Sequence, residues 1–325
     1  MVKAIVQYEP GGPEVLRWEE HPVPAAVEPG AILVRHTAIG VNFIDVYHRR
    51  GRYPVASYPA VVGAEGVGVV ERVGDGVTLV RAGDRVGYAM RSPGAYSEKR
   101  VVPAAMVVRL PDDVPNEVAA VLMLKGMTAE MLLHRAYAVQ PRDPVLIHAA
   151  AGGMGLLLCQ WAKALGAHVI GTVSTPAKAA LARTYGCNDV ILYGQDDFVA
   201  RSRALTGGDG VRVVYDGVGR DTFQKSLDAL ATLGHLISFG ASSGPVEPFD
   251  LTKLAAHSLT VMRPVLFHYT HERHRLEQMA ARVFEAYRTG TLRLEVLRKL
   301  PLKDAAEAHR ALESRETVGA IVLIP

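Results

Sequence analysis

Only two cysteines occur in the 325 residues, Cys159 and Cys187. Their spacing matches neither a zinc cluster nor a disulfide framework. Cys159 falls in an apolar helical stretch, so a buried, inert thiol in a reduced, cytoplasmic setting is expected. An excess of one charge is also missing: 36 Lys and Arg face 33 Asp and Glu, leaving a formal +3. Without a basic stripe interleaved with aromatics, that balance argues against nucleic acid as the main partner. The tightest basic cluster, "HRRGR" at His48 to Arg52, reads as a solvated surface turn. Long apolar runs are absent too. The uncharged stretch Val145 to Ala162 is broken by His148 and a glycine cluster, which suits a buried strand and helix better than a membrane span. The start "MVKAIVQYEPGG" has no apolar core of a signal peptide.

What is present is ordinary soluble-protein material, 49% hydrophobic and 21% charged, long enough for two domains. The first 120 residues carry short β-branched runs punctuated by Gly and Pro, such as "GAILVRHTAIGVN" and "GAYSEKRVVPAAMVVRLP". They predict a compact, partly closed antiparallel β domain, interrupted by one helical piece, "NFIDVYHRRG". After Pro115 the pattern changes. "NEVAAVLMLKGMTAEMLLHRAY" has helical spacing, and from "PVLIHAA" onward strands alternate with helices as far as "HLISFG". That alternation predicts a parallel sheet with helices on both faces. The helices "DTFQKSLDALATLG", "THERHRLEQMAARVFEAYRTG" and "DAAEAHRALESRE" and the final strand "GAIVLIP" complete the reading.

The turn between the first strand and helix of the alternating part reads Ala150-Ala151-Gly152-Gly153-Met154-Gly155. Aligned on its last glycine, it is a dinucleotide fingerprint with alanine in place of the first glycine. Gly152 would let the backbone approach a pyrophosphate and Gly155 would let helix and strand pack closely. Amides at the helix start, among them those of Gly153 and Met154, would face the phosphates. A glycine-rich turn also arises from packing alone, but here strand, turn, helix and second strand follow in order.

The second strand, "HVIGTV", ends without an acid. An NAD site usually has Asp or Glu there for the ribose hydroxyls; this chain has Ser174, Thr175 and, four residues past Ser174, Lys178. A carboxylate would repel a 2′-phosphate, whereas hydroxyls and an ammonium would bind it. One charge pair near 4 Å in a surface environment is worth up to about 4 kcal/mol before desolvation. The expected cofactor is therefore NADPH. The blander reading of Lys178 is an exposed helix lysine.

The joint order of "GVNFIDVYHRRGRYP", "PAVVGAEGVGVVERVG", "AGDRVGYA", "LKGMTA", "HAAAGGMG" and "VVYDGVGRDTF" resembles the medium-chain dehydrogenase/reductases over essentially the whole chain. The closest resemblance is to their zeta-crystallin-like NADPH:quinone oxidoreductases. It implies an α/β protein: a GroES-like β-barrel catalytic domain, residues 1–125 and 266–325, and a doubly wound Rossmann nucleotide-binding domain, residues 126–265. The substrate would sit in the cleft between them. Homodimers joined through the nucleotide sheet edge are common in the family, and the resemblance implies one here. The alcohol dehydrogenases of this superfamily bind catalytic zinc through Cys and His. This chain has Asn42 and Ala64 at those places and lacks the structural zinc lobe. Zinc needs three or four such ligands, so none is expected.

By the same resemblance, Asn42, Asp45, Tyr47 and Tyr53 line the nicotinamide and acceptor cleft, and Lys125 and Thr128 lie beside the nicotinamide. Locally, Asn42 also suits a helix N-cap and Asp45 a first turn. The tyrosines suit stacking or hydrogen bonding, since an ordinary phenol is a weak proton donor at neutral pH. Lys125 reads otherwise as a surface charge and Thr128 as a helix start. Tyr193 and Arg315 match positions that clamp the 2′-phosphate; alone they are a strand-end aromatic and a helix arginine. Gly217, Phe239 and Gly240 lie at strand carboxyl ends, where such sheets bind ligands. His148 reads as a hydrogen-bonded core residue, and His268, His271 and His274 as a solvated helix start.

An alcohol–ketone interconversion needs a Lewis acid or a placed proton donor. A quinone or activated alkene is already electron-poor. Without zinc ligands, the expected activity is therefore NADPH-dependent reduction of a quinone or other conjugated acceptor. An enoyl or alkenal double-bond reductase uses the same architecture. A non-catalytic NADPH- or RNA-binding protein is the reading from another class.

Overall fold

A computed structural model describes residues 1–294, 297–314 and 317–325. The chain divides into two compact units, Met1–Met127 with Phe267–Phe284 and Leu294–Pro325, and Thr128–Leu266 with Glu285–Arg293.

In the first unit the long strand Ala31–Val41 is buried along most of its length, its two apolar runs interrupted by exposed Arg35 and half-buried Thr37. It pairs antiparallel with Glu65–Val73, Lys99–Pro103 and Ala320–Ile324. Arg85–Ala89, Val108–Arg109 and Leu297–Pro301 complete a seven-stranded sheet. A second sheet orders Arg17–His21, Val2–Gln7 and Ala60–Val61. The core holds Ile5, Ile32, Ile39, Val86, Tyr96 and Leu323, all buried. Each such aliphatic side chain contributes about 1.5–3 kcal/mol by leaving water.

The helix Phe43–Arg49 answers the predicted helical piece. Its last residue departs from expectation: within "HRRGR", Arg50 and Arg52 are exposed, but Arg49 is wholly buried. Its guanidinium donates to Gly11 O at 3.1 Å, His309 Nδ1 at 3.0 Å and both oxygens of Glu313 at 2.9 Å. His309 and Glu313 sit on Ala305–Glu313, 260 and 264 positions away, so no local pattern announces them.

The second unit is a six-stranded all-parallel sheet. Its order is Asp189–Leu192, His168–Val173, Pro144–Ile147, Val211–Asp216, Leu230–Ser238, Thr260–Met262. Numbered by appearance, that is 3-2-1-4-5-6, the doubly wound order of dinucleotide-binding sheets. Leu146, Ile170, Val214 and Leu236 on the sheet pack with Phe198 and Phe223 from helices. One predicted helix is shorter than its pattern suggested. It stops at Asp228, and the strand begins at Leu230, because Leu230 pairs with Val211 across a register shift. Cys159 and Cys187 are buried as free thiols, yet they meet: their Sγ atoms lie 3.3 Å apart. An approach across two elements is invisible to sequence spacing.

Replacing Arg49 by Ala leaves Glu313 and His309 without their donor. Because Glu313 is partly exposed, the loss should be about 2–4 kcal/mol, toward the lower end for a broken buried pair. Urea unfolding measures it; a loss below about 1 kcal/mol would show that the guanidinium is not what docks the terminal helix.

Candidate functional site

Two polar constellations stand out, one in each unit. In the first, Asn42 sits at the extended entry to the helix Phe43–Arg49, and its side-chain amide is used at both ends. Nδ2 donates to Glu65 Oε1 at 2.7 Å, and Oδ1 accepts from Lys125 Nζ at 2.6 Å. Lys125 also donates to Val41 O at 2.9 Å, and its ion pair with Glu65 spans 3.9 Å. The second oxygen of Glu65 accepts the backbone N–H of Leu124 at 2.7 Å. That bond explains a local irregularity. A carboxylate taking a helix amide widens the turn, and Leu122–Gly126 is a π-turn that carries Lys125. Gly40 makes room: a Cβ there would lie 1.9 Å from Glu65 Oε1 and 2.3 Å from Ala120 O. The blander alternative for Lys125, a surface charge, is excluded; it is a buried ammonium.

Asp45 extends the cluster. One oxygen accepts Asn42 N–H at 2.8 Å, the reciprocal half of a capping box, and Tyr96 OH at 3.1 Å. Tyr96 OH lies 3.0 Å from His309 Nε2, while Arg49 donates to the other ring nitrogen. A guanidinium can only donate, so His309 is neutral with its proton on Nε2, and every donor in the chain points toward Asp45. Burial and the nearby Arg49 hold His309 down at about 3. Burial pushes Asp45 up to about 7, against the pull of its hydrogen bonds and Lys125. Burial likewise raises Glu65 and lowers Lys125, each opposed by the other's charge. Asp45 is wholly buried. Tyr47 is buried and Tyr53 half-buried, their rings edge-on at 5.3 Å.

In the second unit the glycine turn follows Pro144–Ile147 and opens the helix Gly153–Ala164. The left-handed residue is Ala149, at φ 51°, one position before the expected first glycine. Ala150 therefore needs no glycine. A Cβ on Gly155 would lie 2.2 Å from Ala149 O and 2.6 Å from Ala150 C, so only glycine lets the helix pack here. Gly152, by contrast, has nothing nearer a Cβ than Ala149 O at 3.2 Å, and no side chain caps the helix start. Gly153 and Met154 open that helix half-buried. Backbone amides without a capping side chain and a glycine open on one side are what a pyrophosphate requires, so the turn fits a dinucleotide. Where the strand order reverses, the turn is matched by the loop after Val211–Asp216. There Phe239 lies against Gly217, and a Cβ on Gly240 would meet Gly217 O at 2.6 Å.

At the end of His168–Val173, Ser174 and Thr175 are exposed and Lys178 is half-buried. Thr175 Oγ1 accepts Lys178 N–H at 3.2 Å and so caps the helix Pro176–Thr184. Tyr193, exposed, donates its N–H to Val173 O at 3.3 Å, which brings it beside Ser174. Thr128 is half-buried in the helix Met127–Met131. Arg315 lies outside the described residues.

Sequence reading missed Glu65, Tyr96, His309, Asp216 and Arg263. Asp216 is buried and holds the N–H groups of Val218 and Gly219 at 2.7 and 3.0 Å. Arg263 clamps the same region, donating to Ser238 O and Gly240 O. Only Glu65, beside the substituted Ala64, carried a sequence signal, the "GAEG" segment. His148 is buried between Thr172 Oγ1 and Ser226 Oγ, each at 2.9 Å, and His268, His271 and His274 are exposed. Among the described residues no group of three or more His, Cys, Asp or Glu could hold a metal ion. Asn42 and Ala64 do not supply the ligands that zinc requires.

Comparison with known proteins extends this picture. Residues 28–112 match the alcohol dehydrogenase GroES-like domain and residues 153–285 the zinc-binding dehydrogenase family. A 2-haloacrylate reductase of Burkholderia sp is 46% identical, with 100% of this chain and 99% of that protein covered. Among solved structures, a quinone oxidoreductase of Pseudomonas syringae aligns at 48% identity and TM-score 0.98, covering all of both chains. The Escherichia coli quinone oxidoreductase complexed with NADPH aligns at 46% and TM-score 0.96, covering 99% of this chain and all of that one.

The raised Asp45 fixes a sign. Its contribution to stability is fully present below its ordinary value near 3.8 and is lost as pH rises through about 7, where the folded protein gives up the proton. His309 works oppositely, its contribution lost as pH falls from about 6.5 toward 3. Between pH 5 and 8, unfolding free energy should fall about 2 kcal/mol more in the wild type than in Asp45→Asn. Equal slopes in the two proteins would contradict the buried, protonatable Asp45.

Proposed function

The chain belongs to the quinone oxidoreductase branch of the medium-chain dehydrogenase/reductases, and we propose that it reduces quinones with NADPH, without a metal ion. The observation that carries this is the open-backed glycine turn at the sheet's reversal point, beside a strand end that offers hydroxyls and an ammonium but no carboxylate. Gly152, Gly153, Met154 and Gly155 hold the pyrophosphate through backbone amides. Ser174, Thr175, Lys178 and Tyr193 receive the 2′-phosphate, and Arg315 joins them by the family resemblance. Gly217, Phe239 and Gly240 border the nicotinamide half, and Asn42 and Thr128 are assigned to it by the family resemblance.

When bound, the nicotinamide supplies a hydride. A quinone accepts it with the negative charge delocalised onto oxygen, so hydrogen-bond donors suffice to hold that charge. Tyr47 and Tyr53 orient a flat acceptor through ring contacts. Asp45 and its chain of donors position Asn42, which in turn positions Lys125.

A second reading is favoured by one relative: the 46% identical 2-haloacrylate reductase, whose name marks an activated alkene as its acceptor. Quinone and alkene reduction share the same hydride step and differ in acceptor shape. We propose further that the protein is a cytoplasmic homodimer. The strand Thr260–Met262 ends its sheet and, among the described residues, pairs on one side only, leaving an edge for a second copy.

Two measurements bear on this. The Michaelis constant for NADPH should lie at least tenfold below that for NADH, and Lys178→Glu should close most of that gap; a lower value for NADH would contradict the cofactor assignment. In a panel of 1,4-benzoquinone, 2-chloroacrylate, an enoyl thioester and a long-chain enal, the quinone should turn over fastest. Turnover confined to the chloroacrylate, thioester or enal would move the protein to the alkene-reductase reading. Tight NADPH binding with no turnover of any acceptor would favour a binding protein.

A further inference from the structure

Where zinc dehydrogenases place their metal, this chain brings a different cation against one ligand position and the neighbour of another. Asn42 stands at the position of the first cysteine ligand, and its Oδ1 lies 2.6 Å from Lys125 Nζ. Ala64 stands at the position of the histidine ligand, and the next residue, Glu65, pairs with the same ammonium at 3.9 Å. The ammonium is held as an ion would be, by three oxygens from two segments of chain: Val41 O and Asn42 Oδ1 from one and, more distantly, Glu65 Oε1 from the other. Only two of them are within hydrogen-bond reach, so among the described residues one of the three N–H donors of Lys125 is not spent on the protein. We propose that the Lys125 ammonium takes the place of the metal: it is the electrophile that holds the negative oxygen of the reduced acceptor and the acid that protonates it. The proposal rests on the quinone-reductase reading and names the residue that completes it.

The balance is simple. Reduction of a quinone to a hydroquinone takes one hydride and one proton. The hydride, with its two electrons, comes from the reduced nicotinamide. For the proton, an N–H bond of Lys125 breaks and an O–H bond forms on the acceptor, while the electron pair stays on nitrogen as a neutral amine. Solvent restores the proton once the product has left.

The surroundings suit an acid that must give up its proton and recover it. The titratable and charged groups around Lys125 are Glu65 on the adjoining strand and Asp45 on the following helix. Tyr96, His309 and Arg49 lie behind Asp45, and Tyr88 lies near Glu65. Burial favours the neutral amine, and the two carboxylates favour the ammonium. An isolated buried ammonium would lose its proton, and one in water would keep it too firmly. A buried pair of this kind contributes little to stability, since desolvating each ion costs several kcal/mol. Its retention in the core is better explained by chemistry than by folding.

The test uses the holoenzyme, NADPH and 1,4-benzoquinone, with Lys125→Met and Lys125→Ala. The double variant Lys125→Met/Glu65→Gln keeps the cluster neutral should the single change fail to fold. Single-turnover hydride transfer should slow at least ~100-fold, the size of a lost oxyanion donor. NADPH affinity, read by fluorescence titration, should stay within about threefold, because the charge acts on the developing oxyanion more than on the bound ground state. Ethylammonium should restore at least ~10-fold of the rate to Lys125→Ala, supplying the missing acid. Hydride transfer within about threefold of wild type, a loss that no amine rescues, or a parallel loss of NADPH binding would each overturn the proposal. One readout is independent of turnover. The ε-carbon resonance of Lys125 in the cofactor-free protein should titrate below the ordinary lysine value near 10.4, and lower still in Glu65→Gln. Titration at the ordinary value in both proteins would overturn it. Wild-type protein that reduces no quinone contradicts the reductase reading instead, and Lys125 then stands or falls on that titration.

Discussion

An ammonium and a carboxylate share a dry corner of the first unit because one amide side chain bridges them. Asn42 offers Oδ1 to Lys125 and Nδ2 to Glu65, the only arrangement of its two ends that suits both charges. At 3.9 Å, and at the effective dielectric of protein sites, the ion pair gains about 4 kcal/mol, which falls short of the desolvation of two ions. The bridge closes much of that gap. It also dictates neighbouring backbone: Glu65 takes the Leu124 amide, the helix widens into a π-turn, and glycine is required at position 40 to admit both.

Behind this corner, a directed chain of donors runs from Arg49 through His309 and Tyr96 to Asp45, and Asp45 holds the amide of Asn42. The chain links the terminal helix Ala305–Glu313 to the helix that begins after Asn42. A change at the surface end, where Glu313 holds Arg49 and Arg50, therefore reaches the functional corner through hydrogen bonds alone. In the second unit the logic is different. There the site is made of backbone: a left-handed Ala149, an uncapped helix start, and glycines whose missing side chains leave room.

The contrast explains what the sequence disclosed. The second unit was legible because its site is local. A β-run, small residues and a helical pattern in a short span specify both the turn and the sheet. Ser174, Thr175 and Lys178 could be placed because they follow one strand end. Non-local partnerships were hidden. Nothing in "HRRGR" says that Arg49 is buried and its neighbours are not, since the partners that bury it lie at positions 309 and 313. Lys125 was assigned by resemblance alone, because its partners Glu65 and Asn42 are remote in sequence, and the approach of Cys159 to Cys187 was hidden for the same reason. The predicted helix that ended early at Asp228 lost to strand pairing, a tertiary effect that helical spacing cannot anticipate.

The central claim is that an organic cation, not a metal ion, stands at the reacting end of an NADPH-dependent reductase. The most direct measurement is NADPH oxidation by a quinone after exhaustive dialysis against a strong chelator, followed by readdition of zinc. The account predicts an unchanged rate after dialysis and no gain from zinc. A rate that collapses with the chelator and returns with stoichiometric zinc would contradict it.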